Sequence, residues 1–264
     1  MFAVVKGKWL PAMVLGASYL MLSACAPLSF QPPASTAAAS EPVAATDASP
    51  DNDDERGWWR VGLHRSYHEG DEVLWHLDAL IADEVFKPLV AQYREQLSLW
   101  RFHRRAGEDA AGHKFSFIFY STRHTAAAIY QAVKNNRTVK DLLASDWIER
   151  LSFTDIEAAP KTAIEATSDK AWPLELQKSW PYFIMGVSRA WLDLVSQFAH
   201  QERAKRPQNG ASPDVDDLVA LYAKVHDQVN DIWQQQGGHA FLHHLNALFG
   251  YQELYIIERR KTRF

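Results

Sequence analysis

Lys114-Phe115-Ser116-Phe117-Ile118-Phe119-Tyr120-Ser121 places an aromatic ring at every second position from Phe115 to Phe119 and follows it with Tyr120. Successive side chains on a strand point to opposite faces. Phe115, Phe117 and Phe119 therefore share one face, and Ser116, Ile118 and Tyr120 share the other. The run from Ser98 to Arg105 sorts in the same way. Trp100 and Phe102 fall on one face, Arg101, His103 and Arg105 on the other. The link Ala106-Gly107-Glu108-Asp109-Ala110-Ala111-Gly112 is short and contains glycine, which predicts an antiparallel hairpin. Its basic face is expected to be wet or covered by acidic groups.

On both sides of this hairpin the period changes from two to between three and four. Upstream, Leu74, Leu77, Ile81, Val85, Leu89, Tyr93 and Leu97 recur at helical spacing between Asp71 and Leu97. Pro88 interrupts them, and either kinks that helix or opens a second one at its first turn, where a missing N–H does no harm. Downstream, Thr122 to Lys134 and Thr138 to Ala144 read as helices and Ile148 to Phe153 as a third strand. Residues 154 to 180 read as irregular, with Pro160, Pro173 and Pro181 as breakers. Phe183, Val187, Trp191, Leu194 and Phe198 mark another helix. A longer one starts at Ser212-Pro213-Asp214, with Ser212 as cap, and runs to Gly237-Gly238. His239 to Phe249 forms a last helix closed by Gly250, and Leu254 to Ile257 a final strand. The pattern predicts an α+β fold: a mainly helical single domain packed on a small antiparallel sheet, spanning residues 57–264.

The N-terminus carries a different signal. Lys6 and Lys8 precede the uncharged stretch from Trp9 to Leu22, the layout of a secretory signal. It is too short to cross a bilayer, which takes roughly 20 apolar residues. Leu22-Ser23-Ala24-Cys25 follows, and Cys25 is the single cysteine of the chain. With Leu at −3, a small residue at −2, Ala at −1 and then Cys, this stretch resembles the lipobox of the bacterial lipoprotein class. The resemblance covers residues 1 to 26 alone. It implies a signal peptide over residues 1–24, acyl chains on Cys25 that hold the protein to a membrane, and a mature chain without disulfides. Ala26 stands where an inner-membrane retention signal of enteric-type lipoproteins has Asp. The resemblance therefore implies an outer-membrane lipoprotein, lipid-anchored on the periplasmic face. Residues 25–56 are rich in Ala, Pro, Ser and Thr and end in Asp51-Asn52-Asp53-Asp54-Glu55, a composition that buries too little to order itself. They read as a lipidated, disordered tether, about 30 residues with a reach of about 30 Å.

The chemistry of the domain is less legible. His239-Ala240-Phe241-Leu242-His243-His244-Leu245-Asn246 is its densest set of ligand-capable side chains. At 100° per residue His239, His243 and Asn246 lie opposite Phe241, Leu245, Leu248 and Phe249. Imidazoles at i and i+4 suit a helical zinc site, yet the glutamate of the metalloprotease pattern is replaced by Ala240, and a third ligand is needed. His226, Asp227 or His64 would have to supply it. A solvated polar helix face explains the same residues. The second candidate is Gly62 to Asp71, read as a loop, with His64, Arg65, Tyr67 and His68 between two glycines; a loop that caps the following helix explains it as well.

No nucleophile elbow, phosphate-binding glycine loop or free thiol is present, so no cofactor is expected apart from a divalent metal on the histidine helix. The chain has 28 Lys and Arg against 32 Asp and Glu, which with export argues against nucleic acid as a partner. The tail Arg259, Arg260, Lys261 and Arg263 suits anionic head groups, an acidic protein surface or plain solvation. Every tryptophan but Trp9 follows Gly57. Trp75, Trp191 and Trp233 read as core, and Trp58-Trp59 as docking the start of the fold or lying near the membrane. The expected role is binding or envelope assembly, with an envelope protein as a candidate partner. The alternative is a tethered metal-binding protein or hydrolase built on His239 and His243.

Overall fold

The computed structural model of the protein describes residues 55–65, 72–105, 112–206 and 213–253. The signal peptide, Cys25, the tether apart from Glu55 and Arg56, Tyr67, His68, the cap Ser212, the strand expected at Leu254 to Ile257 and the basic tail lie outside them; Arg56, expected in the tether, already belongs to the sheet. Among the described residues the fold is α+β, with helices packed against one face of a four-stranded antiparallel sheet.

The aromatic hairpin forms as its alternation demands. Strand β2 (Leu99–Arg105) pairs with β3 (His113–Thr122), and Phe102 lies opposite Phe117. The sheet has a third long strand that the sequence reading missed. Strand β1 (Arg56–Arg65) lies between β3 and the short β4 (Arg150–Phe153), giving the order β2-β3-β1-β4. His64 and Arg65 therefore belong to a strand, not to a loop. Trp59, Val61 and Leu63 point to the helices, but the double tryptophan and the glycines at 57 and 62 mask that period. Trp58 and Trp59 are both buried and dock the start of the fold.

Helix α1 (Trp75–Ile81) runs through a π-helical turn (Ala82–Phe86) into α2 (Lys87–Gln92), with Pro88 in the first turn of α2. The extra residue of the π turn places Phe86 in the centre of the core. Its ring lies 4.8 Å from that of Phe117, 6.0 Å from Phe115 and 6.1 Å from Phe102. Burying a ring of this size contributes about 2–3 kcal/mol. Helices α3 (Arg123–Asn135) and α4 (Arg137–Ala144) are capped by Thr122 and Asn136, whose side chains accept from the amides of Thr125 and Val139.

Helix α5 spans Leu174–Ala204, 31 residues, with the supposed breaker Pro181 inside it. A proline has no N–H, so the carbonyl four residues earlier, that of Gln177, lacks its helical donor. The hydroxyl of Ser168 donates to that oxygen at 2.6 Å and closes the gap. Helix α5 lies along the edge of β2, where the Phe102 amide donates to Ser188 Oγ at 3.1 Å. Helix α6 (Val215–Gly237), capped by Asp214, packs outside against α1 and α5. Gly237-Gly238 does not end it. The helix continues through a second π turn (Gly238–His243) into α7 (His244–Leu248), and Gly250 then leaves it with φ +72°.

The opposite face of the sheet is covered at one end by a strap of residues 156–172. Trp58 Nε1 donates to the carbonyls of Ala163 and Ile164 at 3.1 and 3.0 Å, and Tyr120 OH to that of Thr162 at 2.7 Å. The strap also reaches the next row, where Arg101 Nη2 donates to the Thr167 carbonyl at 3.5 Å.

Candidate functional site

None of the four strands contains an Asp or Glu, although acids outnumber Lys and Arg in the whole chain. Because side chains alternate, the strand registers decide where the cations of the sheet collect. On the face away from α1 and α3, Arg101 and Arg60 flank Ile118 in one cross-strand row. The next row reads His103, Ser116, Gly62, Ser152, and the one after it Arg105, Lys114, His64, Arg150. Five permanent cations and two imidazoles thus surround a central row of small side chains.

Gly62 keeps that centre open. A Cβ there would stand 2.6 Å from Ser152 Oγ and 2.8 Å from Lys114 Cε, so any other residue would displace them. The close packing brings His64 Nε2 to 2.7 Å from Ser152 Oγ. Ser152 Oγ also donates toward the Gly62 carbonyl at 3.5 Å, so which partner donates in the histidine bond follows the His64 tautomer; the ring nitrogen outside that bond is Nδ1. That nitrogen is buried and has no hydrogen-bond partner. The same holds for Nε of Arg60, Nε of Arg101, Oγ of Ser116 and, on the strap, Oγ1 of Thr167. Buried polar atoms are nearly always satisfied, and leaving one unpaired costs about 1–3 kcal/mol. A group of them on one face is where ordered water or a hydrogen-bonding ligand would be held.

The titration behaviour agrees. Burial, and then the charges of Arg150, Lys114 and Arg60, push the His64 imidazole down to about 4. His103 is lowered by burial and by Arg101, Lys114, Arg105 and Arg60, and Lys114 by burial and by Arg60, Arg150 and Arg105. Each cation here makes the next one harder to hold, a cost that an anion would remove. The His64 and Ser152 pair has the outline of a base and a nucleophile, but a base poised near 4 is weak at neutral pH.

The other candidates stand elsewhere. Asp78, His113 and Arg104 form a buried cluster, with Arg104 Nε 2.7 Å and His113 Nε2 2.8 Å from the carboxylate. The cavity beside it measures about 10 Å³, room for a water and nothing larger. A larger groove of about 390 Å³ runs between α2 and α5 over Leu97, Trp100 and Leu192.

The second π turn draws His239, His243 and His244 together, their ring centroids 5.0, 5.2 and 5.3 Å apart, and all three are exposed. Among the described residues no three His, Cys, Asp or Glu side chains are arranged to hold a metal ion. Asn246 is half-buried on the same segment, where its carbonyl accepts from the amides of Phe249 and Tyr251. His226 lies thirteen residues back along the helix, about 20 Å away. It bonds Asn230 at 3.0 Å, and burial and Arg104 lower its pKa. His64 sits on the sheet, separate from all of these, and Arg65 donates to the Trp147 carbonyl at 3.1 Å.

The sequence reading found the Arg101, His103 and Arg105 half of the cationic face and missed the half on β1. The alternation of Arg60, Gly62 and His64 was the available signal. No family model matches the chain, and searches of curated proteins and of solved structures found no match.

Proposed function

We propose that the protein is a lipid-anchored envelope lipoprotein whose tethered domain binds a phosphate-bearing envelope component on its cationic sheet face. The lipobox-like Leu22-Ser23-Ala24-Cys25 supports the anchor and the periplasmic side of the outer membrane. The observation that carries the binding role is the group of unpaired buried polar atoms around Ser116 and Gly62. Guanidinium groups match the geometry of phosphate oxygens in pairs, and Arg60 and Arg101 present theirs on either side of Ile118. The role is capture or positioning of an anionic component, with the tether setting how far from the membrane it acts.

Titration of the full chain with inorganic phosphate and pyrophosphate tests this. Both are expected to raise the unfolding temperature. The double variant Arg60→Gln, Arg101→Gln, which cannot form the bidentate contacts, is expected to lose at least about tenfold in affinity, the equivalent of one charge-assisted hydrogen bond. Neither anion stabilising the wild-type protein would overturn the assignment.

A further inference from the structure

The far end of the α6 and α7 helix carries a second surface, independent of the cationic face. Helix α6 packs on α1 and α5 along its first turns, but Trp233, Phe241 and Leu242 beyond them are exposed, with Trp233 at 55%. Leu248, Phe249 and Tyr251 follow at 84%, 69% and 60% exposure. Gly237 leaves room for the Trp233 ring: a Cβ there would meet Trp233 Cε3 at 2.9 Å. Phe241 stacks on that ring with centroids 6.0 Å apart, so the two form one apolar plate. Clustered exposed aromatics of this kind mark an interaction site more often than idle surface.

What covers the plate is indicated by charge. Residues 232–252 contain no Asp, Glu, Lys or Arg, whereas 23% of the whole chain is charged. Entering a lipid interface therefore strips no formal charge of its water. Immediately after come Arg259, Arg260, Lys261 and Arg263 against Glu253 and Glu258, a net charge of +2 from four bases and two acids. Aromatic and leucine side chains beside a basic run are the composition of segments that lie in the head-group region of anionic bilayers. Among the described residues no helix is long and apolar enough to cross a membrane, so the segment would lie on the surface and not span it.

We infer that the arm from Trp233 to Tyr251 docks on an anionic phospholipid surface. Trp233, Phe241, Leu248 and Phe249 enter the head-group boundary.

The full chain carrying Cys25→Ser, so that no acyl group contributes, is mixed with vesicles of phosphatidylcholine alone or with an equal part of phosphatidylglycerol. Co-sedimentation with the mixed vesicles is expected, at least about tenfold stronger than with phosphatidylcholine alone. Leu248→Ser with Phe249→Ser is expected to weaken it by at least tenfold at an unchanged unfolding midpoint, since both side chains point to solvent. Brominated lipid is expected to quench the wild-type emission more than that of Trp233→Phe, a readout that requires no loss of binding. Absence of binding to either vesicle would overturn the inference. So would binding indifferent to the Leu248 and Phe249 pair, or self-association by light scattering that the pair abolishes, which would assign the plate to a second copy.

Discussion

His64 is a side chain held neutral by its neighbours, and its stability consequence follows from that. Its imidazole is lowered from 6.5 to about 4 by burial, Arg150, Lys114 and Arg60. In the unfolded chain it protonates near 6.5. Above that pH neither state binds the proton and nothing is lost. As pH falls from 6.5 to 4 the unfolded state gains a proton that the folded state refuses, so stability declines, fully so below 4. A shift of this size corresponds to about 3 kcal/mol. His64→Gln retains a side chain able to bond Ser152 and removes the titration. Urea unfolding at pH 7.5 and 4.5 is expected to show the wild-type protein losing about 2–3 kcal/mol more than the variant. His76, His103 and His226 are lowered too, so the variant keeps part of the acid sensitivity. Equal losses in both proteins would show that His64 is not held neutral.

Among the elements, those with a clean period were legible and those whose period is broken by one residue were not. The β2 and β3 hairpin, α3, α4 and the α+β class follow from alternation and caps. Strand β1 was hidden by Gly62, which is there for the close approach of Ser152 and Lys114 across the sheet, a reason that lies in strands far along the chain. The start of α5 was hidden by Pro181, whose cost is met by Ser168 from the strap, again a tertiary partner. This compensation is testable by a double-mutant cycle. Ser168→Ala leaves the buried Gln177 carbonyl without its donor and is expected to cost about 1–3 kcal/mol. Pro181→Ala restores an amide four residues on, so the same change in that background is expected to cost less by at least about 0.5 kcal/mol. Denaturant midpoints of the four proteins measure the coupling. Strict additivity would mean that Ser168 stabilises α5 in some other way.

At the scale of the molecule, charge is segregated: the strands hold cations and no acids, residues 232–252 hold neither, and the segment before β1 is acidic. Composition totals concealed this because they average it away, and the cationic face emerges only once four strands from distant parts of the chain are set in register. The two proposed membrane contacts, acyl chains on Cys25 and the arm, would act with different strengths. Acyl chains contribute about 0.8 kcal/mol for each buried CH₂ and two or more hold a protein stably, whereas an interfacial arm binds reversibly. The wild-type protein is therefore expected to stay with the membrane fraction through an alkaline carbonate wash. Cys25→Ala, if the lipobox-like motif is acylated, should sediment with membranes before the wash and be released by it, because the arm alone remains. Adding Leu248→Ser and Phe249→Ser to that variant should leave it in the soluble fraction from the start. Retention of Cys25→Ala after the wash would refute the lipid anchor, whereas its full solubility before the wash would refute the arm and leave the anchor standing.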